Sequence, residues 1–133
     1  FKTKSLSTLK LWGRILASVV DEKESRFVWS KITKEDFAVT NAEEAASSGI
    51  IDELLKTAPN IDFALLLSEK MDGLHGSLRS AALGIDVSEI AKMFGGGGHQ
   101  AAAAFQLPGE SLVTMQEEIL AKIRVHQRTK VQN

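Results

Sequence analysis

Cysteine is absent from the 133 residues, which removes three chemistries at once: disulfide bridges, thiolate metal sites and a cysteine nucleophile. A cysteine-free chain also suits a reducing cytosol, so a cytoplasmic location is expected. Proline occurs only twice, and no linker is long enough to split the chain, so one globular domain is expected. No apolar run is long enough to cross a membrane, and no membrane partner is expected. An excess of either charge is missing too. The formal net charge is −1 and the pI about 6.3, which excludes a protein that coats long nucleic acids through bulk electrostatics. Any anion site must be local.

Metal-ligating and nucleophilic patterns are equally scarce. The three histidines are His75, His99 and His126, and none has a carboxylate or second histidine at metal-ligand spacing on its own element. Acidic residues fall in adjacent pairs, Asp21-Glu22, Glu43-Glu44, Asp52-Glu53 and Glu117-Glu118. Neighbours on a helix or turn do not face one point, so these read as solvated charge. Ser77 and Ser80 have no evident base partner, which leaves a serine nucleophile unsupported.

What the chain does have is glycine, concentrated in one place: Phe94-Gly95-Gly96-Gly97-Gly98-His99-Gln100-Ala101-Ala102-Ala103-Ala104-Phe105. Glycine permits positive φ and leaves no Cβ in the way, so a ligand can touch several backbone N–H groups at once. The alanines that follow are expected to start a helix whose unpaired first N–H groups add the favourable end of its dipole. His99 would supply a side-chain donor beside that ring. A flexible linker is the competing reading of the glycines alone. The flanks favour a loop built into a core, because Phe94 and the block from Ala101 to Phe105 grip it on both sides. The common nucleotide fingerprints do not fit: a G-x-G-x-x-G frame starting at Gly95 meets Gln100 where its last glycine should be, and no Gly-Lys-Ser/Thr is present.

Patterning places the rest. Leu9, Trp12, Leu16 and Val19 share one helical face near the start. Arg26 to Ile32 alternates as a strand does. Two short helices follow, one opened by Thr40 and Glu43 at capping-box spacing, and Ile50, Ile51, Leu54 and Leu55 form an apolar stripe. The continuous apolar run Ile61 to Ser68 reads as the sheet centre. Asp72-Gly73 signals a hairpin into Leu74 to Ser80, where period-two alternation sends Leu74, Gly76 and Leu78 to the core and His75, Ser77 and Arg79 to the other surface. An arginine between hydroxyls on a rigid strand can fork a carboxylate or phosphate, although an ordinary solvated sheet face shows the same alternation. Asp86 and Glu89 have the spacing to cap a helix that buries Val87, Ile90, Ala91 and Phe94. Phe105 to Leu107 is a short strand, Pro108-Gly109 a turn, and Leu112, Met115, Ile119 and Ile123 the buried stripe of a final helix. Lys122, Arg124, Arg128 and Lys130 near its end complement the helix C-terminus. The opening at Phe1 without a methionine is read as the start of a fragment.

Gly96, Gly97, Gly98, His99 and Ala102 match the Gly-Gly-Gly-His-x-x-Ala-x-Gly motif of the DHHA1 domain, with Ala104 at the position of its last glycine. The Ser77-Leu78-Arg79-Ser80 strand, the Asp86-Val87-Ser88 helix start and the Leu11-Trp12-Gly13-Arg14 helix are similar to the branch containing nanoRNases and pAp phosphatases. From about Leu9 to Leu107 the chain thus resembles the C-terminal, substrate-binding half of DHH-family phosphoesterases.

The resemblance implies an α/β fold, a mixed β-sheet flanked by helices. It also implies a division of labour, in which an upstream DHH domain holds manganese and cleaves while DHHA1 binds a short RNA, DNA or nucleotide phosphate across the cleft. No Asp-His-His occurs here. Residues 1–20 would then be a linker helix from a missing DHH domain and 21–133 the DHHA1 domain, with no catalytic residue, no bound cofactor and no activity of its own. Gly96, Gly97, Gly98 and His99 would take one phosphate, with His99 also a candidate assisting acid, while Arg79, Ser77 and Ser80 would take a second phosphate or sugar. A homodimer is left open. Similar domains in RecJ-like exonucleases, cyclic-dinucleotide phosphodiesterases and alanyl-tRNA synthetases supply the alternative, including a non-catalytic nucleic-acid-binding module. If the motif glycine replaced by Ala104 needs positive φ or abuts another backbone, alanine there is strained by about 1 kcal/mol.

Overall fold

A strand that is apolar at every position needs cover on both faces, and the run around Leu65 obtains it. The computed structural model describes residues 4–131. In order these form helix α1 (Leu6–Ala17), strands β1 (Val20–Glu22) and β2 (Phe27–Ile32), helix α2 (Lys34–Thr40), a 3₁₀ turn (Glu44–Ser47) and helix α3 (Ile50–Leu54). They continue as strands β3 (Phe63–Lys70) and β4 (Gly73–Ser80), helix α4 (Ser88–Met93), strands β5 (Gly97–Gly98) and β6 (Ala102–Pro108), and helix α5 (Leu112–Val131). The strands form one six-stranded sheet in the order β1-β2-β3-β4-β6-β5. Only β2 and β3 pair in parallel, through the crossover that carries α2 and α3, so the sheet is mixed.

Each face has its own core. On one, Phe27, Phe63, Leu65, Leu67, Leu74, Leu78 and Phe105 pack under α4 and α5, whose Ile90, Phe94, Ile119 and Ile123 are buried against them. Phe27 and Phe63, directly paired across β2 and β3, stack at 5.1 Å. On the other, Val28, Ile32, Ala64 and Leu66 pack under Leu11 and Ile15 of α1 and Ile50, Ile51 and Leu54 of α3. This second core draws its strand residues from β2 and β3 alone.

Several local expectations change on the structure. Helix α1 buries Leu11 and Ile15, not the stripe through Leu9 and Leu16, which stay 52% and 39% exposed. The helix is apolar on two sides, and Ser30 selects one by donating its hydroxyl to the Ile15 carbonyl at 2.5 Å. Helix α1 thus packs onto the sheet through Leu11 and Ile15. The capping box of the crossover lies at Thr33 and Asp36, which opens α2. Thr40 closes that helix instead, donating to the Asp36 carbonyl at 2.8 Å. Asp86 caps α4 through the Ser88 N–H at 2.9 Å, while Glu89 turns away to Lys130 at 3.3 Å. Arg124 does not serve a helix end. It forks onto Glu22 at 3.0 and 2.9 Å, where Trp29 also donates at 3.0 Å. Those hydrogen bonds, Arg124's foremost, hold the Glu22 carboxyl below its ordinary value against the opposing effect of burial.

The alanines after His99 are extended, not helical: Ala102 to Ala104 belong to β6. Ala104 is exposed and is not among the non-glycine residues with positive φ, so the expected strain is absent. Elsewhere glycine is obligatory. A Cβ on Gly76 would enter the Phe105 ring, and that ring is buried and packs on Phe94 at 4.7 Å. Gly76→Ala is expected to lower stability by about 1–3 kcal/mol, because the Phe105 ring must leave its rotamer or the strands must part. Denaturant unfolding checks this, and a change under about 0.5 kcal/mol would contradict the packing. Ala104→Gly, which restores the motif residue, is expected to cost about 0.5–1 kcal/mol in the same assay, since glycine weakens a strand interior. A stabilising effect would show that Ala104 is strained after all.

Candidate functional site

The core under α1 and α3 takes no strand residue from β4 or β6, and the sequence on that half of the sheet face changes accordingly. Where β2 and β3 present Val28, Ile32, Ala64 and Leu66 to the helices, β4 presents His75, Ser77 and Arg79. Beside them in register lie Gln106, Ala104 and Ala102 of β6. Opposed residues of an antiparallel pair point to one side, so these six share one surface. Over it runs the segment from Glu44 to Gly49, making a cleft of about 340 Å³ lined also by Leu66, Ser68 and Lys70. A second cavity of about 350 Å³ lies toward the sheet edge, bounded by Gly97, Gly98, Ala102 and Ala103. The two share Ile51, Ser77, Arg79 and Ala104.

The far wall is tied down at several points. Trp12 of α1 donates its indole N–H to the Ala46 carbonyl at 2.8 Å. Glu44 accepts from the Met71 N–H at 3.0 Å, which pins the wall to the β3–β4 turn. Asp52 of α3 accepts from Arg79 Nη1 at 2.7 Å.

Arg79 is the principal cation of the surface. Its backbone is locked in a strand paired on both sides, and Nη1 is engaged by Asp52. Its Nε is sealed from solvent yet has no hydrogen-bond partner among the described residues. A buried donor left without an acceptor costs free energy, and such groups are rare. One well-placed acceptor would satisfy it.

The glycines divide their work. Gly95 (φ 81°) ends helix α4, and the N–H groups of Gly95 and Gly96 are spent on the Lys92 and Ala91 carbonyls at 3.1 and 2.9 Å. A Cβ on Gly96 would strike the Ala104 carbonyl oxygen, and one on Gly98 would lie 2.7 Å from the Ala102 carbonyl oxygen. The expected ring of glycine N–H groups at a helix N-terminus is therefore replaced by a hairpin. His99 and Ala102 exchange hydrogen bonds of 2.8 and 3.2 Å around the turn Gln100-Ala101, and Gly97 and Gly98 pair with Ala104 and Ala103. On that alternation Gly98 falls between hydrogen-bonded pairs and directs its N–H outward from the sheet edge. Gly96 offers no free N–H and lines neither cavity.

The structure thus brings Ser77, Arg79, Gly97 and Gly98 around one cavity. His99 is exposed, without a side-chain partner, and lines neither cavity, but its register opposite Ala102 puts it on the same side of the sheet as Arg79. The two Cα atoms are separated by two strand spacings, about 10 Å, with only the Ala102 methyl between them. Ser80 does not join: it follows Arg79 by one residue, and the period of two turns it to the opposite face with Leu78.

Sequence reasoning passed over His75, Ser68, Gln106, Lys70 and Asp52. His75 was on the correct face, and its Nε2 lies 2.7 Å from Asp72 Oδ1. That hydrogen bond holds the Asp72 carboxyl below its ordinary value. Gln106 could have been found by extending β6 back to Ala102, which places it in register with His75. Asp52 gave no signal, being 27 positions from Arg79. Among the described residues no three His, Asp or Glu side chains gather closely enough to hold a metal ion, and no helix is long and apolar enough to cross a membrane.

Comparison with known proteins bears on the fold and the family. No curated protein matches the chain. The crystal structure of an exopolyphosphatase-related protein from Bacteroides fragilis is 26% identical with a TM-score of 0.79, over 95% of this chain and 37% of that one. The pGpG-specific phosphodiesterase PggH from Vibrio cholerae shares the fold, with a TM-score of 0.55 at 12% identity, over 90% of this chain and 39% of that one. The chain therefore spans less than two-fifths of either protein. The model of the DHHA1 domain matches residues 16–125, from the end of α1 through most of α5, and the chain belongs to the DHHA1 domain family.

Proposed function

We propose that this chain is the substrate-binding domain of a DHH phosphoesterase, closest to the nanoRNase and pAp phosphatase branch, and that its β4–β6 sheet face grips the phosphate of a short oligonucleotide or pAp-like nucleotide. One observation carries the reading: Arg79, whose Nε is buried and without a hydrogen-bond partner among the described residues, lines a cavity together with Ser77, Gly97 and Gly98. Guanidinium gives two oxygens of a phosphate a planar pair of donors, and the Ser77 hydroxyl a third. His99 at the hairpin tip is placed to add a donor to the same group or to assist as an acid once a partner domain closes over it. Ala102 and Ala104 form a flat floor on which a sugar or base can lie close to the strands.

The cleaving chemistry belongs to the upstream DHH domain, whose Asp/His motifs would hold manganese. The residues described here do not form such a site, so no step of the reaction is assigned to a metal in this chain. Residues 1–20 would lead in from that domain, with α1 serving both as connection and as cover for the sheet. The working compartment would be the cytoplasm. The small number of cationic groups on the face suits capture of a terminal phosphate on a small substrate better than tracking of a long strand. The Vibrio cholerae protein that shares the fold, a phosphodiesterase specific for pGpG, acts on a substrate of this class.

In the intact protein carrying both domains, Arg79→Ala is expected to raise KM for a short 5′-phosphorylated oligonucleotide by about 10- to 100-fold, the value of a hydrogen-bonded charge pair at a binding site. Bound manganese should stay at the wild-type level. Unchanged KM, or loss of the metal, would overturn the assignment of Arg79 to substrate binding.

A further inference from the structure

Arg79 reaches its place through a second residue. A guanidinium offers two separate pairs of parallel donors, Nη1 with Nη2 at its end and Nε with Nη2 along its side. Asp52 Oδ1 takes one N–H of Nη1 at 2.7 Å and leaves the side pair unengaged. That side pair contains Nε, the buried donor without a partner. The contact therefore does not consume the guanidinium.

We propose that Asp52 is a positioning residue, which fixes the rotation of the Arg79 guanidinium so that its Nε–Nη2 edge meets a substrate phosphate side-on. The proposal rests on the reading of Arg79 as a phosphate ligand. Two further observations support it. The side chains of Arg79 and Asp52 are 38% and 54% exposed, and an ion pair so exposed adds little to stability. Asp52 also sits on α3, whose Ile50, Ile51 and Leu54 are anchored in the core, so its carboxylate is delivered by a rigid element. A long cationic side chain loses rotamer freedom when it binds a ligand, and a partner that orders it beforehand removes part of that penalty. The negative charge of Asp52 acts in the other direction, since it lowers the attraction of this corner for an anion. The two effects predict opposite changes in affinity when Asp52 is replaced by alanine.

The test uses this chain with pApA as probe and unphosphorylated ApA as control, followed by calorimetry or fluorescence anisotropy. Asp52→Ala is expected to weaken pApA binding about fivefold, within the range of couplings between contacting residues, and to leave ApA unaffected. Asp52→Asn keeps the acceptor oxygen and should retain wild-type affinity within about twofold. Adding Arg79→Ala to Asp52→Ala should weaken binding no further than Arg79→Ala alone. The NMR signal of the Arg79 side-chain Nε–H should be sharp in wild type and in Asp52→Asn, and broadened in Asp52→Ala. The thermal midpoints should agree within about 2 °C, since the pair is exposed. Tighter binding in Asp52→Ala would show that Asp52 masks Arg79, and unchanged binding with an unchanged Nε–H signal would make it a bystander; either overturns the proposal. If Arg79→Ala itself binds pApA as wild type does, the failure lies with the phosphate reading of Arg79 and not with Asp52 alone.

Discussion

The apolar core on one face of the sheet stops at β3, and most of the candidate site follows from that limit. The second core takes Val28, Ile32, Ala64 and Leu66 from the strands, so β4 and β6 have no apolar partner on this side and no reason to present apolar residues. Polar groups placed there remain wet, which lets an arginine, a histidine, a serine and a glutamine stand on a sheet whose opposite face carries the larger apolar core. The same strands thus hold the two requirements together. Leu74, Leu78 and Phe105 anchor them beneath, and Ser77, Arg79 and Ala104 are displayed above with the precision of a paired ladder.

The glycine run serves this arrangement from the edge. Gly95 and Gly96 terminate α4, and Gly96 and Gly98 allow the returning chain to lie against β6 at distances that any side chain would block. The result is a short hairpin that adds Gly97, Gly98 and His99 to the face already carrying Arg79. An anion cradle built on a helix N-terminus would have gathered many weak N–H donors in one ring. The hairpin offers fewer backbone donors and lies beside one guanidinium, that of Arg79, held by Asp52.

Where one periodic pattern was present, the sequence was a good guide. The alternation from Leu74 to Ser80 sorted its residues onto the observed faces, and Ile61 to Ser68 announced a strand two residues from its actual span, Phe63–Lys70. Reading failed where two patterns competed or where a distant partner decided. Helix α1 has apolar residues on two sides, and only β2 shows that Leu11 and Ile15 are the buried pair. Four alanines in a row favour a helix by intrinsic propensity, yet pairing with the glycines across the turn holds them in β6, a tertiary override of local preference. Ser80 was grouped with Arg79 by adjacency, although period two sends neighbours to opposite faces. Asp52 reads locally as one of an adjacent acidic pair, and its contact with Arg79 lies outside any local window.

The central claim is that the β4–β6 surface, and not another part of the domain, receives the phosphate. Backbone amide chemical-shift mapping during titration with pApA tests it most directly. The account predicts the largest shifts at Ser77, Leu78 and Arg79, at Gly97 to His99 and at Ala102 to Ala104, with saturation and with little change when ApA replaces pApA. Shifts gathered instead along the basic end of α5 around Arg128 and Lys130, or around Lys23 and Arg26 beside Pro59, would contradict it.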